Sequence, residues 1–501
     1  MRARASARRQ APRGQATCGA AVRTPSVRLL SLLVAGGLAL AGEPAATAAT
    51  FARGVPVSGI ACQSDPTQTY TLYLPSSYTP ERRWPTLLVL DPGGRGDLGA
   101  ECFRAAAEEH GWVLLSSNNV HSDGTVEANQ RALAAMWNEV QVRVASDPRR
   151  IYAAGFSGGG ILAYALGYGT GNIAGVIVSG GRFRPGDDSK PLHFPCFGAA
   201  GDEDFNYLEM HDVHRVLARW GTPERLEIFD GTHEWLPEPM VRRAVDWLEL
   251  HAARQGLRPA DPALLDRFVA ADLAAVAELE TAGRPLDAAD RLRLLAADLA
   301  LFRPGTEVTE LGLRADRLAA LPAARQELAE RRRWDLEEVG ALKRFSAAAA
   351  EILRDDGPPV GQRFETALGI GELTKRAGQP GYAGVSARRL LATHFMRCAT
   401  MLGPQMLNQG DAAKAAVFFQ AASRIAPERW VPRYNLACAL ARAGSRRPAL
   451  EALEKAVELG FADAAAMNAD RDLTSLHEEP RYAALLARLQ ARLQAAQPTT
   501  P

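Results

Sequence analysis

The chain has 501 residues, 47% of them hydrophobic and 23% charged, which is enough apolar material for two or three domains with cores of their own. The formal net charge is +1, but the first 48 residues hold seven arginines and one glutamate, so the body of the chain is mildly acidic. A mildly acidic body lacks the basic surface that nucleic-acid binding needs.

In chain order, the first feature is an arginine-rich stretch followed by the apolar run Val27 to Gly42 and then Ala46-Thr47-Ala48, an A-x-A site. This pattern predicts an export signal over 1–48, cleaved after Ala48, with an uncleaved anchor as the alternative. The expectation is a periplasmic or secreted protein with no stable membrane span after cleavage. An oxidising compartment permits disulfides, and Cys62–Cys102 is the expected pair among the five cysteines that remain.

Residues 49–256 are expected to form one catalytic domain. Short strand-like runs (Thr69–Leu74, Thr86–Leu90, Trp112–Ser116, Ile151–Ala154, Ala174–Ser179, Phe194–Ala200, Leu226–Phe229) alternate with amphipathic stretches of helical length (Leu98–Glu109, Val126–Val144, Gly160–Tyr168, Tyr207–Trp220, Pro239–Ala252). Alternation of this kind predicts an α/β class with a mostly parallel sheet flanked by helices.

Beyond residue 257 the strand signals stop. Alanine, leucine, arginine and glutamate dominate, and apolar residues recur at helical spacing, as in Leu292, Leu295, Ala296 and Leu299. Residues 257–395 are expected to be repeat-like helical pairs, punctuated at Gly283-Arg284-Pro285, Gly357-Pro358-Pro359 and Gly378-Gln379-Pro380. Residues 396–493 are expected to form a repeat domain, with an offset over roughly 396–461: Gly410 and Gly444, Ala415 and Ala449, Phe419 and Leu453, Ala422 and Ala456, and Ile425 and Leu459 all stand 34 residues apart. These residues resemble the tetratricopeptide repeat, which implies a groove for a protein or peptide partner. Residues 494–501 are expected to be a disordered tail.

The chemistry centres on Gly155-Phe156-Ser157-Gly158-Gly159, a G-x-S-x-G between a strand-like IYAA and a helix-like GGILAYALGY. A sharp strand-to-helix turn of this kind exposes a serine hydroxyl at a helix head, so Ser157 is the candidate nucleophile. A serine hydroxyl needs a base. His233, in the loop between the last predicted strand and the last helix of the domain, is the candidate. The carboxylate that orients it should follow the strand Phe194–Ala200: Asp204 is the first choice, Asp202 the second and Glu203 the third. Two N–H donors are needed for an oxyanion. Gly158 is expected to give one, and the loop after Thr86–Leu90 the other, through Gly94 or Arg95. His211 and His214 have metal-like spacing, but no third ligand accompanies them, and a surface face is expected. No metal or cofactor is expected.

With these residues assembled, 51–255 resembles the polyhydroxybutyrate depolymerase and feruloyl esterase branch of the α/β-hydrolases. The resemblance is carried by the Gly155–Gly159 elbow, Ser116-Ser117-Asn118-Asn119 and His233-x-Trp235 with Pro237 nearby, and the chain departs from it in having Asp91-Pro92 where many members have His-Gly. It implies acyl transfer to water from a small or polymeric ester. A serine peptidase or amidase on the same triad is the alternative, and an inactive hydrolase fold that binds partners through the repeats is the alternative from a different class.

Overall fold

A computed structural model describes residues 50–183, 190–354 and 361–496. The expected export signal lies outside the described residues. So does the expected break at Gly357-Pro358-Pro359.

One sheet organises the N-terminal half. Its strands are β1 (Pro56–Ala61), β2 (Thr69–Tyr73), β3 (Trp84–Leu90), β4 (Val113–Ser117), β5 (Ser146–Phe156), β6 (Gly175–Ser179), β7 (Cys196–Gly201) and β8 (Glu224–Phe229). They lie in the order β1-β2-β4-β3-β5-β6-β7-β8. The pairs β1/β2 and β2/β4 are antiparallel, and every pair from β4/β3 to β7/β8 is parallel. This is the mostly parallel sheet flanked by helices that the alternation predicts, followed by an all-helical half. Strand β1 was not anticipated. Its PVSGIA sequence is mostly half-buried or exposed, so an edge strand of this kind carries no apolar alternation to read.

The helices of this half are α1 (Gly96–His110), α2 (Val126–Val142), α3 (Gly158–Thr170), α4 (Tyr207–Arg219) and α5 (Glu238–Arg254). Because strand side chains alternate between faces, the sheet feeds two cores. Leu88, Leu115, Ala153 and Val178 pack with Met136, Val140, Tyr164, Met210 and Leu217 from α2, α3 and α4. Leu87, Val89, Leu114, Ala154 and Ile177 pack with Phe103 of α1 and Val241, Ala244 and Leu248 of α5. The two faces explain why the expected Cys62–Cys102 bond does not form. Cys62 belongs to the first core and Cys102 packs against the second, so the sheet lies between them. All five described cysteines are free, and burial pushes both thiols up to about 12.

The helical half contains α6 (Pro262–Thr281), α7 (Pro285–Phe302), α8 (Thr306–Ala319), α9 (Pro322–Arg354), α10 (Gly361–Leu368), α11 (Ile370–Ala377), α12 (Tyr382–Met396), α13 (Gly403–Asn408), α14 (Ala412–Ile425), α15 (Trp430–Arg442), α16 (Arg446–Glu458), α17 (Ala464–Ala469) and α18 (Pro480–Ala496). A short wide turn, Arg397–Leu402, joins α12 to α13. Repeat-like pairs were expected throughout 257–395, yet α9 runs 33 residues unbroken. No proline follows Pro322 within it, and Gly340 alone does not end a helix. Helix α18 also continues to Ala496, past the expected end of structure. In the last part, Ala415 and Ala449, Phe419 and Leu453, and Ala422 and Ala456 are buried in one shared core. Gly410 and Gly444 both take a left-handed conformation, at φ 86° and 77°, as helix C-terminal turns require.

The two halves share structure. Leu264, Phe268, Leu292, Leu295 and Leu311 of α6–α8 belong to the same core as α1 and α5. Arg225 of β8, fully buried, is paired with Glu227, with Asp272 of α6 and with Asp298 of α7. Arg291 of α7 and Arg243 of α5 complete the network on Glu227. Among the described residues, no helix is long and apolar enough to cross a membrane.

Candidate active site

The chain moves from β3 outward to β4 and then crosses to β5 on the other side of β3. Crevices for ligands open at such a switch point, outside the carboxyl ends of the strands. The residues singled out in the sequence gather there, following β3, β5, β7 and β8.

Ser157 follows β5 and heads α3. It is the one non-glycine residue with positive φ among the described residues, at φ 52° and ψ −120°. Side chains avoid this conformation, and it persists only where the surroundings impose it. They do so here. The Ser157 N–H donates to the Ser179 carbonyl at 2.9 Å, and its own carbonyl accepts from Gly160 at 3.0 Å. A Cβ at Gly155 would overlap the Gly159 carbonyl, and one at Gly159 would overlap the Leu90 carbonyl oxygen. Only glycines permit the strand and helix to meet so closely. The half-buried Ser157 hydroxyl has no hydrogen-bond partner among the described residues.

His233 stands in the loop after β8, with two phenyl rings packed against its own. Phe205 lies against it at 4.0 Å between centroids, and Phe156, the neighbour of Ser157, at 4.6 Å. Its Nδ1 is 2.8 Å from Oδ1 of Asp204, which is fully buried just past β7. The same Oδ1 accepts the Asn206 N–H at 2.7 Å. The three carboxylates considered in the sequence therefore separate cleanly. Asp204 meets the imidazole. Asp202 instead accepts the Gly231 N–H at 3.1 Å, securing the loop that carries His233, and burial pushes its carboxyl above the usual range. Glu203 pairs with Arg388 at 2.6 Å.

The loop after β3 is built around Asp91, which is fully buried. Its carboxylate takes both Arg95 nitrogens, at 2.8 and 3.0 Å, the Gly93 N–H at 2.9 Å and the Trp235 indole N–H at 2.9 Å. Burial alone would raise this carboxyl, but the bonds from Arg95 and Trp235 outweigh it and hold it below the ordinary value. Asp91-Pro92, the departure from the His-Gly pattern, thus ties the β3 loop to the His233–Trp235 segment. Of the two candidate second donors, the Gly94 N–H is used inside this turn, donating to the Asp91 carbonyl at 3.2 Å. The Arg95 N–H has no acceptor among the described residues, and neither has that of Gly158.

Two residues at the site were not anticipated. Gly180 follows β6 at φ 54°. A Cβ there would stand 2.5 Å from Asp204 Oδ2 and 3.0 Å from His233 Nδ1. The Ser179-Gly180-Gly181 run after a strand was its only signal. His121 is exposed, yet its backbone is gripped twice by the Asn129 side chain, at 3.0 and 2.8 Å. Its ring packs against Gly94. The Asn118-Asn119 stretch serves the scaffold, bonding to Thr69 of β2. His211 and His214 are not on a surface face: His214 is buried with Nδ1 2.6 Å from Glu224, and burial pushes the His211 ring down to about 4. His214 lies on the face of α4 turned to the sheet, its ring against Gly198 of β7, and the half-buried His211 lies against Tyr207. Among the described residues, Cys438, Asp470 and Asp472 come within reach of a shared ion. Tyr434 and Arg442 already satisfy these carboxylates.

No protein-family model matches the chain, and no curated protein matches it. Solved structures similar to part of it include FphF, a fluorophosphonate-binding serine hydrolase of Staphylococcus aureus. That likeness has 16% identity and a TM-score of 0.32, covering 39% of this chain and 97% of the other. The esterase LipW of Mycobacterium marinum is similar at 15% identity and a TM-score of 0.34, over 39% of this chain and 81% of the other. An S-formylglutathione hydrolase of Staphylococcus aureus is similar at 19% identity and a TM-score of 0.32, over 40% and 98%.

Proposed function

We propose that the chain is a serine hydrolase acting on carboxylic esters, with Ser157 as nucleophile, His233 as general base and Asp204 as the carboxylate that orients it. The observation that carries this is the 2.8 Å bond between His233 Nδ1 and Asp204 Oδ1, made by an imidazole that packs at 4.6 Å against Phe156, the residue next to a serine in a strained turn. A carboxylate on Nδ1 fixes the tautomer in which Nε2 is free to take a proton, and it stabilises the imidazolium that results.

In the proposed reaction Ser157 Oγ attacks the ester carbonyl carbon while His233 Nε2 takes the hydroxyl proton. The oxyanion is met by the Gly158 N–H, at the positive end of α3, and by the Arg95 N–H. Collapse of the tetrahedral species breaks the bond to the alcohol oxygen, which receives the proton from His233. Water, deprotonated by the same imidazole, then releases the acid and restores Ser157.

The further parts of this reading are also proposals. Residues 1–48 export the chain, and the paired helices at the 34-residue offset, with their likeness to tetratricopeptide repeats, offer a surface for a protein or peptide.

The test is covalent. A fluorophosphonate probe should label the intact chain, and S157A should abolish both labelling and hydrolysis of a p-nitrophenyl ester. A parent chain that neither labels nor turns over the ester refutes the proposal.

A further inference from the structure

The loop from Asp202 to Asn206 carries Asp204, and the helical half holds it from outside the sheet. Consecutive arginines of α12 reach consecutive residues of this loop. Arg388 pairs with Glu203 at 2.6 Å. Arg389 donates through NH1 to the Asp202 carbonyl at 2.8 Å. The Arg389 guanidinium also lies over the ring of Tyr207, 4.0 Å from its centroid, so it touches the chain on both sides of Asp204.

Arg389 is itself fixed. It is fully buried, and its other nitrogens bond to Glu338 of α9 at 2.8 to 3.2 Å, to Asp335 at 3.2 Å and to the Tyr382 hydroxyl at 3.2 Å. Ser386 adds a hydrogen bond to Glu338. A planar guanidinium with this many fixed partners holds one geometry. Burying such a pair contributes little net stability compared with apolar packing of the same shape. Its contribution here is directional: one fork joins α9 and α12 to a backbone carbonyl two residues before Asp204.

We propose that Arg389 is a positioning residue for the Asp204–His233 pair, so that the helical half is part of the catalytic apparatus; this rests on the hydrolase reading above. The imidazole accepts its orientation from Asp204 Oδ1, and among the described residues the helical half reaches this loop with two charged side chains, the buried Arg389 and the partly exposed Arg388. Releasing the Asp202 carbonyl leaves that loop tied to the His233 loop by the bonds of Asp202 to Phe229 and Glu203 to Gly231, but held on the helical side only by Arg388, so that Asp204 shifts against His233. Displacements of this size lower the rate of the chemical step without removing any substrate contact.

The test uses the full-length chain. R389M/E338M removes both buried charges together, so neither is left unpaired. Circular dichroism and the thermal midpoint establish that it folds. The rate of Ser157 labelling by a fluorophosphonate, and kcat on a p-nitrophenyl ester, should fall about ten- to hundredfold, with KM changing less than about twofold. R388Q, which alters a partly exposed side chain, should give a smaller loss of the same kind. R389K should recover part of the rate, because one ammonium can still reach the Asp202 carbonyl. A folded double variant that labels and turns over like the parent overturns the inference. Should the double variant not fold, parental kcat in both R388Q and R389K overturns it instead. Failure of the parent itself to label overturns the hydrolase reading, and this inference with it.

Discussion

His233 and Asp204 come from different strands, β8 and β7, and meet at 2.8 Å through one imidazole nitrogen and one carboxylate oxygen. Asp202, two residues earlier, makes no such contact and accepts a backbone N–H instead. This separation predicts unequal effects. D204N keeps the shape of the side chain but allows the wrong imidazole tautomer, and kcat should fall by roughly 10³–10⁴-fold. D202N retains an acceptor for Gly231 and should cost about tenfold or less. Steady-state kinetics on one ester substrate decides, and equal losses would reassign the acid.

Ser157 is held at φ 52°, so its two simplest replacements should differ in stability. S157A keeps the strained backbone with a Cβ, whereas S157G relieves it. Both should lose activity. The glycine variant should be the more stable by about 1–2 kcal/mol, read as a higher denaturation midpoint. Equal midpoints would mean that the turn is not strained in solution.

Gly180 has neither the dihedral nor the space for a side chain. G180A should push on Asp204 and His233 together, lowering kcat about a hundredfold while leaving KM nearly unchanged. G171A supplies the control, since Gly171 also has positive φ but open space around it. It should lose about 1–2 kcal/mol of stability and no activity.

The buried network at Arg225 predicts opposing pH limbs. Desolvation pushes the Glu227 carboxyl up, but the charges of Arg225, Arg291 and Arg243 overcome it and hold it at about 2. The unfolded chain then binds the proton more readily, so this contribution is present above about pH 4.5 and is lost as pH falls toward 2. Asp298 behaves the other way. Burial raises it to about 6 in spite of Arg225, so its contribution is present at low pH and is lost as pH rises from about 4 to 6. Urea midpoints across pH 3 to 7 should rise and then dip, and D298N, which keeps an acceptor for Trp247, should remove the dip. A dip that survives in D298N assigns it to another group.

Much of the candidate site was legible because its signals are local. Ser157 could be named from Gly155 and Gly159, since a tight turn needs flanking residues without side chains. His233 and Asp204 could be named from their places after strands, because a parallel sheet brings successive strand ends to one edge. The 34-residue offset was equally readable, as small and large residues must recur where helix pairs stack.

What the sequence could not decide lay in contacts between distant segments. Which of Asp202, Glu203 and Asp204 meets the imidazole depends on loop direction, to within one or two residues. Cys62 and Cys102 are near in sequence, yet the alternation of strand faces puts the sheet between them. Gly180 matters only because two loops from other strands converge above it. Arg389 lies 187 residues from the Asp202 carbonyl it holds, and an arginine among many in a helix carries no mark of its partner. Local patterns fix backbone shape and helix or strand periodicity; which side chain faces which is set by packing, where an ångström decides whether a charge finds its counterpart.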